Sequence, residues 1–473
     1  MVLTKKKNKK YSKKHSKKHT KKHTKKHEKN DTINLNLYKN GSGTRLLVMP
    51  NRNETESSSI YFYFKVGSKN ESPELNGVSH FIEHMLFKGS PKFPNYLDIS
   101  KTFDSNGISF NAYTSKDVTA YHYKFLSTPE NLDLICKITS EMLFKSLMRE
   151  KDIGPERNVI IQEYNDGIDD IDEYIDDKLE ECLFEGHPLG MTIIGTLDTL
   201  HKINRKKMMD YYHKYYTPEN LLIGFNGKLA SGYMSIIEKY FKGSGSGGSG
   251  HTFSPIEMKN YVPGESLMIP FTDKYPSYKI HCYPKELSQD YINIIFKTRG
   301  HFDPNRYYYK LISNILGGNM SSRLFVEIRE KMGLAYSIKT DITNYEEVGF
   351  FNIYTQNETK DTMKCIDHIF KELLKLKKEG VDETELKNNK KNYCDIYKTN
   401  FDDIEYENEF YSNQILLNKP LESPQMRVKK IQDITKEQLQ DASHELFNLN
   451  KVHIITFGDI KKDKIEKIIK KYI

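Results

Sequence analysis

The segment of residues 80–84, which reads His-x-x-Glu-His, constrains this chain more than any other feature. In an α-helix of about 3.6 residues per turn, His80 and His84 lie one turn apart, and Glu83 lies beside them. Two neutral imidazoles at this spacing can bind one tetrahedral metal ion, and the glutamate can act as a general base without being a ligand. The segment therefore predicts a helix that carries part of a zinc site. The alternative is a pair of hydrogen-bonded surface histidines.

Two glutamates further along the chain are candidates for the missing ligand. Glu156 and Glu163 are seven residues apart, about two helical turns, so they project from nearly the same face. One could bind the metal while the other orients a histidine; the alternative is that both are solvated, as most acids of this region must be. The apolar residues here recur every three or four positions, which predicts one long amphipathic helix that contains Ile160, Tyr164, Ile168, Ile171, Ile175, Leu179 and Leu183.

Several motifs around these residues resemble a known family. They are residues 77–89 (GVSHFIEHMLFKG), residues 111–115 (NAYTS), the pair Glu156 and Glu163, and residues 186–190 (GHPLG). Together they resemble the pitrilysin/mitochondrial-processing-peptidase family of zinc proteases, whose reversed H-x-x-E-H order is the inverzincin motif. The resemblance extends from about residue 32 to the C-terminus.

The resemblance implies a set of roles in this sequence. His80, His84 and Glu163 would bind one zinc ion (Zn2+) per chain, and Glu83 would be the catalytic base. Glu156 would orient a histidine ligand without binding the metal itself. The seven-residue offset between the two glutamates is the basis for choosing Glu163 over Glu156 as the third ligand. The substrate backbone would pair, as an added strand, with Asn111, Ala112, Tyr113 and Thr114.

A second block of sequence supports the same family. Residues 316–324 (LGGNMSSRL) and 329–337 (REKMGLAYS) resemble the catalytic type of processing-peptidase subunit and its bacterial relatives, in which an Arg and a Tyr seven residues apart reach the substrate near the zinc. Arg329 and Tyr336 fit this role, because a guanidinium and a phenol can hydrogen-bond a substrate carbonyl or the oxyanion that develops from it. The alternative is a buried tyrosine and a surface arginine.

Length and composition are consistent with this family. The 473 residues suffice for two domains of roughly 200 residues, and no apolar run approaches the roughly 18 to 20 residues of a membrane span. The five cysteines are an odd number and form no C-x-x-C pair, which favours a reducing compartment. We therefore expect an intracellular, cytoplasmic protein; a mitochondrial location is the alternative, although no convincing targeting segment is present.

The first 31 residues have a different composition from the rest. Residues 1–30 contain fourteen Lys and one acid, a charge of +13, so the remainder of a chain with charge +8 carries about −5. So few apolar residues predict a disordered, solvated tail. Contact with a polyanion is the functional reading, and weak metal binding by its four regularly spaced histidines is another.

A Gly/Ser-rich stretch at residues 242–252 predicts a flexible linker between two halves. We expect a catalytic zinc-binding domain at 32–241 and a homologous second domain without a metal motif at 253–473. Strands and helices alternate in both halves, which predicts an α+β fold of two sheet-and-helix layer domains. The predicted strands are 33–37, 45–48, 60–66, 293–297, 335–342, 349–354 and 452–457, with a helix over 307–316.

The sequence thus predicts a zinc metalloendopeptidase that acts on peptides or unfolded segments. We expect a homodimer, or a heterodimer with a related chain, enclosing a chamber. The acidic helix after Glu163 could favour basic peptides, against the alternative of a solvated face. The alternative function is a catalytically silent structural subunit of the same fold. Such subunits usually have a damaged metal motif, whereas every ligand position is filled in this chain.

Overall fold

The computed structural model of the protein describes residues 35–242, 252–258, 269–273 and 277–473. The predicted disordered tail and residues 243–251 of the predicted flexible linker lie outside these ranges. The fold is built from two sheets, one formed mainly by the first half and one by the second, each with helices packed on it. The α+β fold of two sheet-and-helix domains is therefore confirmed.

The first sheet has seven strands in the order β4-β5-β3-β6-β2-β1-β7. Neighbouring strands are antiparallel except for β2 and β6, which are parallel. The strands are β1 (Asn36–Lys39), β2 (Arg45–Val48), β3 (Ser57–Phe64), β4 (Ser109–Thr114), β5 (Thr119–Leu126), β6 (Leu221–Gly227) and β7 (Ser254–Ile256).

Eight helices lie between the strands of the first half, within the part of the chain that the structure describes. They are α1 (Val78–Leu86), α2 (Tyr96–Ser105), α3 (Pro129–Lys145), α4 (Glu150–Asp169), α5 (Ile171–Leu183), α6 (Leu197–Lys202), α7 (Arg205–Tyr215) and α8 (Tyr233–Phe241). Helix α1 forms because Val78, Phe81, Ile82 and Met85 recur at helical spacing and are all buried in the core beneath it.

The second sheet repeats the topology of the first. Its order is β10-β11-β9-β12-β8, with one parallel pair, β8 and β12, at the place that β2 and β6 occupy in the first sheet. Its strands are β8 (Lys279–Tyr283), β9 (Asp290–Thr298), β10 (Ser337–Asn344), β11 (Gly349–Asn357) and β12 (His453–Phe457). The strands predicted at 45–48, 293–297, 349–354 and 452–457 are thus present, with ends shifted by a few residues.

The helices of the second half include the one predicted over 307–316. They are α9 (Arg306–Gly317), a π-helical segment (Phe325–Lys331), α10 (Thr362–Glu379), α11 (Glu383–Asn400), α12 (Ile404–Leu416), α13 (Pro424–Gln432), α14 (Lys436–Leu446) and α15 (Lys462–Ile469). No helix among the described residues is both long and apolar enough to cross a membrane. All five cysteines have free thiols.

The prediction of one long helix from Ile160 to Leu183 is wrong. The first helix ends at Asp169, and Asp170 is the N-cap of a second helix, α5. The Asp170 carboxylate accepts hydrogen bonds from Asp172 N and Glu173 N. The apolar residues keep their helical spacing across this interruption because each helix buries an apolar face, although the two faces lie in different cores. Ile160 packs under the first sheet, whereas Leu179 and Leu183 pack on the second.

Each half supplies a helix to the sheet of the other half. Tyr411 and Ile415 of α12 pack on the first sheet against Tyr61, on the face opposite α1. Helix α5 covers the second sheet in the same way, with Leu179 packed against Ile455. Strand β7, which the sequence analysis assigned to the second domain, pairs with β1 of the first sheet. The two halves are therefore interlocked, and α4 is followed directly by α5, a separate helix that packs on the second sheet.

Candidate metal centre

Helix α1 carries the predicted ligands His80 and His84 and is therefore called the metal helix. It begins without a side chain that could cap it, because its N-cap residue is Gly77 with φ of +95°. A more distant carboxylate takes over this role. Glu71 is buried and accepts hydrogen bonds from Gly77 N and Ser79 N, both at 2.7 Å. Burial raises the pKa of Glu71 to about 7, although these hydrogen bonds oppose the rise. The sequence analysis did not identify Glu71. The pattern that could have indicated its role is a glutamate six residues before the glycine that is the N-cap of a helix.

Three predicted ligands converge on one point between α1 and α4. Nε2 of His80 and Nε2 of His84 are 3.2 Å apart, and Oε2 of Glu163 lies 3.9 Å and 3.5 Å from them, respectively. Zinc bonds of about 2.0–2.1 Å in a tetrahedral site place ligand atoms about 3.3 Å apart, so this donor set fits zinc with a small adjustment of Glu163. Among the described residues this is the one group of His, Cys, Asp or Glu close enough to hold a metal ion.

The charges around the two imidazoles favour a cation. Burial, with a smaller contribution from His84, lowers the pKa of His80 to about 3, so His80 is in the neutral form that binds a metal. The pKa of His84 is raised: burial opposes its protonation, but Glu156, Glu163 and Glu83 outweigh that effect. A divalent ion would supply the positive charge that these carboxylates favour.

Glu156 holds His84 from the side away from the metal position. Nδ1 of His84 donates to Oε1 of Glu156 at 2.9 Å, which leaves Nε2 free to face the metal. Lys88 forms an ion pair with the other oxygen of Glu156. Burial alone would raise the pKa of Glu156, yet His84 and Lys88 lower it below its ordinary value. Lys88 is a contact that the sequence analysis did not identify, although it stands one helical turn after His84.

Glu83 points into the open space beside the ligands. Its Oε2 accepts a hydrogen bond from Thr114 Oγ1 at 2.6 Å, and burial raises its pKa despite this bond. Thr114 is the last residue of β4, the edge strand of the first sheet. All four predicted substrate-binding residues, Asn111, Ala112, Tyr113 and Thr114, lie on this strand. The hydrogen bond to Glu83 is a role of Thr114 that its position in the sequence did not indicate.

Two clefts open on either side of the metal position and share Glu83 and Ala112. One, of about 500 Å³, is lined by His80, Glu163 and the acidic start of α5, namely Glu173, Asp176 and Asp177. The other, of about 530 Å³, is lined by aromatic side chains, namely Phe87, Tyr96 and Phe110, and by Glu156. An extended chain lying along β4 would therefore pass an aromatic cleft, the metal position and an acidic cleft in turn.

Arg329 and Tyr336 line neither of the two clefts beside the metal position. The Arg329 guanidinium lies 5.9 Å from the Tyr336 ring, and Tyr336 is 68% exposed on the second half. Within the described ranges, neither residue makes a hydrogen bond or ion pair with His80, Glu83, His84 or Glu163. The alternative of a buried tyrosine at this position is therefore wrong.

The fold and the site together define a duplicated sheet-and-helix protein with an H-x-x-E-H helix and a glutamate from a following helix. The model of the insulinase family (peptidase family M16) matches residues 46–197, and the model described as the peptidase M16 inactive domain matches residues 202–393. The uncharacterized zinc protease YmxG of Bacillus subtilis is 32% identical over 352 residues, which are 74% of this chain and 80% of YmxG. The chain belongs to the insulinase family, peptidase family M16.

Solved structures agree with this fold. A protease from Helicobacter pylori superposes with a TM-score of 0.78 at 19% identity, over 90% of this chain and 99% of that protein. A peptidase M16 inactive domain from Pseudomonas fluorescens gives a TM-score of 0.76 at 20% identity, over 91% of this chain and 99% of that one. At these identities the likeness concerns the fold alone.

Proposed function

We propose that this protein is a zinc-dependent metalloendopeptidase. The observation that carries the proposal is the convergence of His80, His84 and Glu163 beside Glu83, in an open cleft that runs along an edge strand. The name zinc protease that relatives such as YmxG carry supports the same chemistry. His80, His84 and Glu163 would hold one zinc ion per chain.

The residues of the chain divide the reaction between them. When bound, zinc supplies Lewis-acid chemistry, which polarises the scissile carbonyl and makes a nearby water molecule more acidic. Glu83 takes the proton of the attacking water on Oε1, because its Oε2 is occupied by the hydrogen bond from Thr114. Glu83 then returns this proton to the leaving amine. Glu156 keeps the imidazole of His84 in the orientation and tautomer that binding requires.

Strand β4 would bind the substrate by its backbone. Because it pairs only with β5 among the described strands, its outer edge is able to accept a further strand. Backbone pairing gives little sequence preference, so the substrates would be peptides or unfolded segments. The acidic cleft beside His80 adds a preference for a basic side chain. The position of Glu173, Asp176 and Asp177 in the lining of this cleft supports the acidic helix as a substrate contact.

Arg329 and Tyr336 would act on a second chain. Both side chains are exposed on the second half, and neither lines a cleft beside the metal position of its own chain. A homodimer, or a heterodimer with a related chain, whose members face each other around a chamber would place each pair over the partner's cleft. There the two side chains would hydrogen-bond the oxyanion.

Other parts of the chain take separate roles in this proposal. The domains would be the catalytic half at 32–241 and the metal-free half at 253–473, joined by the linker at 242–252. The tail of residues 1–31 would contact polyanions by charge and leave catalysis unaffected. A cytoplasmic location remains a prediction from the scattered cysteines.

A catalytically silent subunit of the same fold is the second candidate. It is favoured by the match of residues 202–393 to a domain described as inactive, whereas the filled metal site favours the enzyme. The test measures zinc content and hydrolysis of an unfolded protein by wild type, Glu83→Gln and His80→Ala. We expect about one zinc per chain in wild type and Glu83→Gln, little in His80→Ala, and activity in wild type alone. Zinc-loaded wild type without hydrolytic activity would favour the silent subunit.

A further inference from the structure

The turn that joins β4 to β5 begins one residue after Thr114 and is fixed to the segment that precedes the metal helix. Ser68 N donates a hydrogen bond to Ser115 O at 3.1 Å. Gly67 approaches so closely that an added Cβ would lie 2.1 Å from Ser115 O, so no larger residue fits there. The end of β4 is therefore positioned by its contact with residues 67–69.

Lys69 lies at the centre of a buried charge cluster beneath this turn, and its side chain is only 4% exposed. Its Nζ forms an ion pair with Asp117 of the β4–β5 turn and lies 3.1 Å from Glu347 Oε1 and 3.3 Å from Glu346 Oε2. Burial disfavours the ammonium, but Asp117 and Glu347 outweigh this effect and raise the pKa of Lys69. Lys69 therefore carries its charge at neutral pH.

Glu346 and Glu347 come from the second half, where they form the turn between β10 and β11. Both carboxylates are almost fully buried. The preceding residue, Tyr345, donates to Glu180 of α5, which also pairs with Lys116 of the β4–β5 turn at 2.8 Å. The β10–β11 turn is thus linked to the β4–β5 turn in two ways, through the buried Lys69 and by way of the partly buried Glu180.

We propose that Lys69 is a positioning residue of the peptidase reaction: by holding Asp117, it keeps the β4–β5 turn where Thr114 hydrogen-bonds Glu83. Glu346 and Glu347 hold Lys69 in turn, so the half without a metal motif sets the geometry of the base in the other half. This inference rests on the proposed function and assigns a further residue to the same site.

The physical reason is the short path from the cluster to the base. Thr114 is three residues from Asp117, and its Oγ1 is 2.6 Å from Glu83 Oε2, so a shift of the turn acts directly on Glu83. Proton transfer requires Glu83 within about 2.6–3.2 Å of its water. A misplacement of about 1 Å can cost on the order of 100-fold in rate. Loss of the ammonium would also leave buried carboxylates that repel each other and open the cluster.

The test compares Lys69→Met with Lys65→Met in the full-length, zinc-loaded protein. Lys65 Nζ lies 3.5 Å from the same Glu346 but forms no ion pair with Asp117, which makes it a matched control. We expect Lys69→Met to keep its zinc and lose kcat for a short peptide by on the order of 10- to 100-fold. Lys65→Met should stay within about twofold of wild type. Lys69→Arg, which keeps the charge, should restore part of the loss.

A double substitution separates positioning from general destabilisation. If Lys69 acts through Thr114, Lys69→Met should add little to the loss of kcat already caused by Thr114→Val. Additive losses, or a lower melting temperature with unchanged kcat, would overturn the inference. Should Lys69→Met not fold, Asp117→Asn breaks the same ion pair and is expected to give the same non-additive loss. An inactive wild type would overturn the proposed function as well, whereas an active wild type with normal Lys69→Met and Asp117→Asn variants would overturn this inference alone.

Discussion

Nδ1 of His84 donates to Oε1 of Glu156 at 2.9 Å, while the other oxygen of Glu156 is held by Lys88. Glu156 is therefore placed behind a ligand, and Glu163, seven residues further along the same helix, is placed at the metal position itself. The two glutamates differ in what their removal should do to metal binding.

Glu156→Gln should weaken zinc binding by about 10- to 100-fold without unfolding the protein, because the imidazole loses its orienting carboxylate and not its bond to the metal. Glu163→Gln should lose zinc more completely, because it removes a ligand. Competition titration with a chromogenic chelator measures both affinities. The reverse order of the two variants would make Glu156 the third ligand.

Tyr336→Phe should lower kcat by on the order of 100-fold, because one donor to the oxyanion is lost. Its melting temperature and zinc content should not change, since Tyr336 is 68% exposed. If the tyrosine acts on a partner chain of a homodimer, mixing Tyr336→Phe with Glu83→Gln should recover about a quarter of wild-type activity, because half of randomly paired dimers are mixed and each has one complete site. If activity does not recover although the subunits have exchanged, Tyr336 does not act on the partner chain.

Substitution of the acidic cleft should change substrate choice. Asp177→Asn should raise the KM of a lysine-containing peptide by on the order of 5- to 10-fold and leave a neutral peptide unaffected. Burial, with the nearby Glu180 and Asp341 carboxylates, raises the pKa of Asp176 to about 6, so the preference for basic peptides should weaken as the pH falls below 6. Glu181→Gln is the control, because Glu181 pairs with Lys178 on the same helix and does not line the cleft. Equal effects on both peptides would contradict the assignment.

His453 in β12 should make the stability of the protein depend on pH. Burial, with the nearby Lys297, lowers its pKa to about 3, whereas the unfolded chain binds this proton near pH 6.5. The unfolded state therefore binds more protons in acid, and about 1.4 kcal/mol of the free energy of unfolding should be lost between pH 7.5 and 5.5. Urea unfolding of His453→Gln should lack this part of the pH dependence. His213→Gln, at an exposed histidine of α7, should retain it.

The part of the site that the sequence specified is local. His80, Glu83 and His84 lie on consecutive turns of α1 because helical periodicity fixes their relative positions whatever surrounds the helix. The duplicated α+β architecture was likewise readable from strand and helix patterns and from the motifs that resemble the family. The long-helix prediction failed because the apolar period of 160–183 continues through a capped break into a second core.

Contacts between distant segments were decided by the tertiary structure. Glu156 and Glu163 share one helical face, so only the way α4 crosses α1 places Glu163 at the metal position and Glu156 behind His84. The hydrogen bond from Thr114 to Glu83 depends on how the end of β4 lies over α1. The meeting of Lys69 with Glu347, 278 residues apart in the chain, depends on how the two halves interlock. Sequence spacing determines geometry within one helix or strand, whereas the packing of several elements determines which of the remaining groups meet.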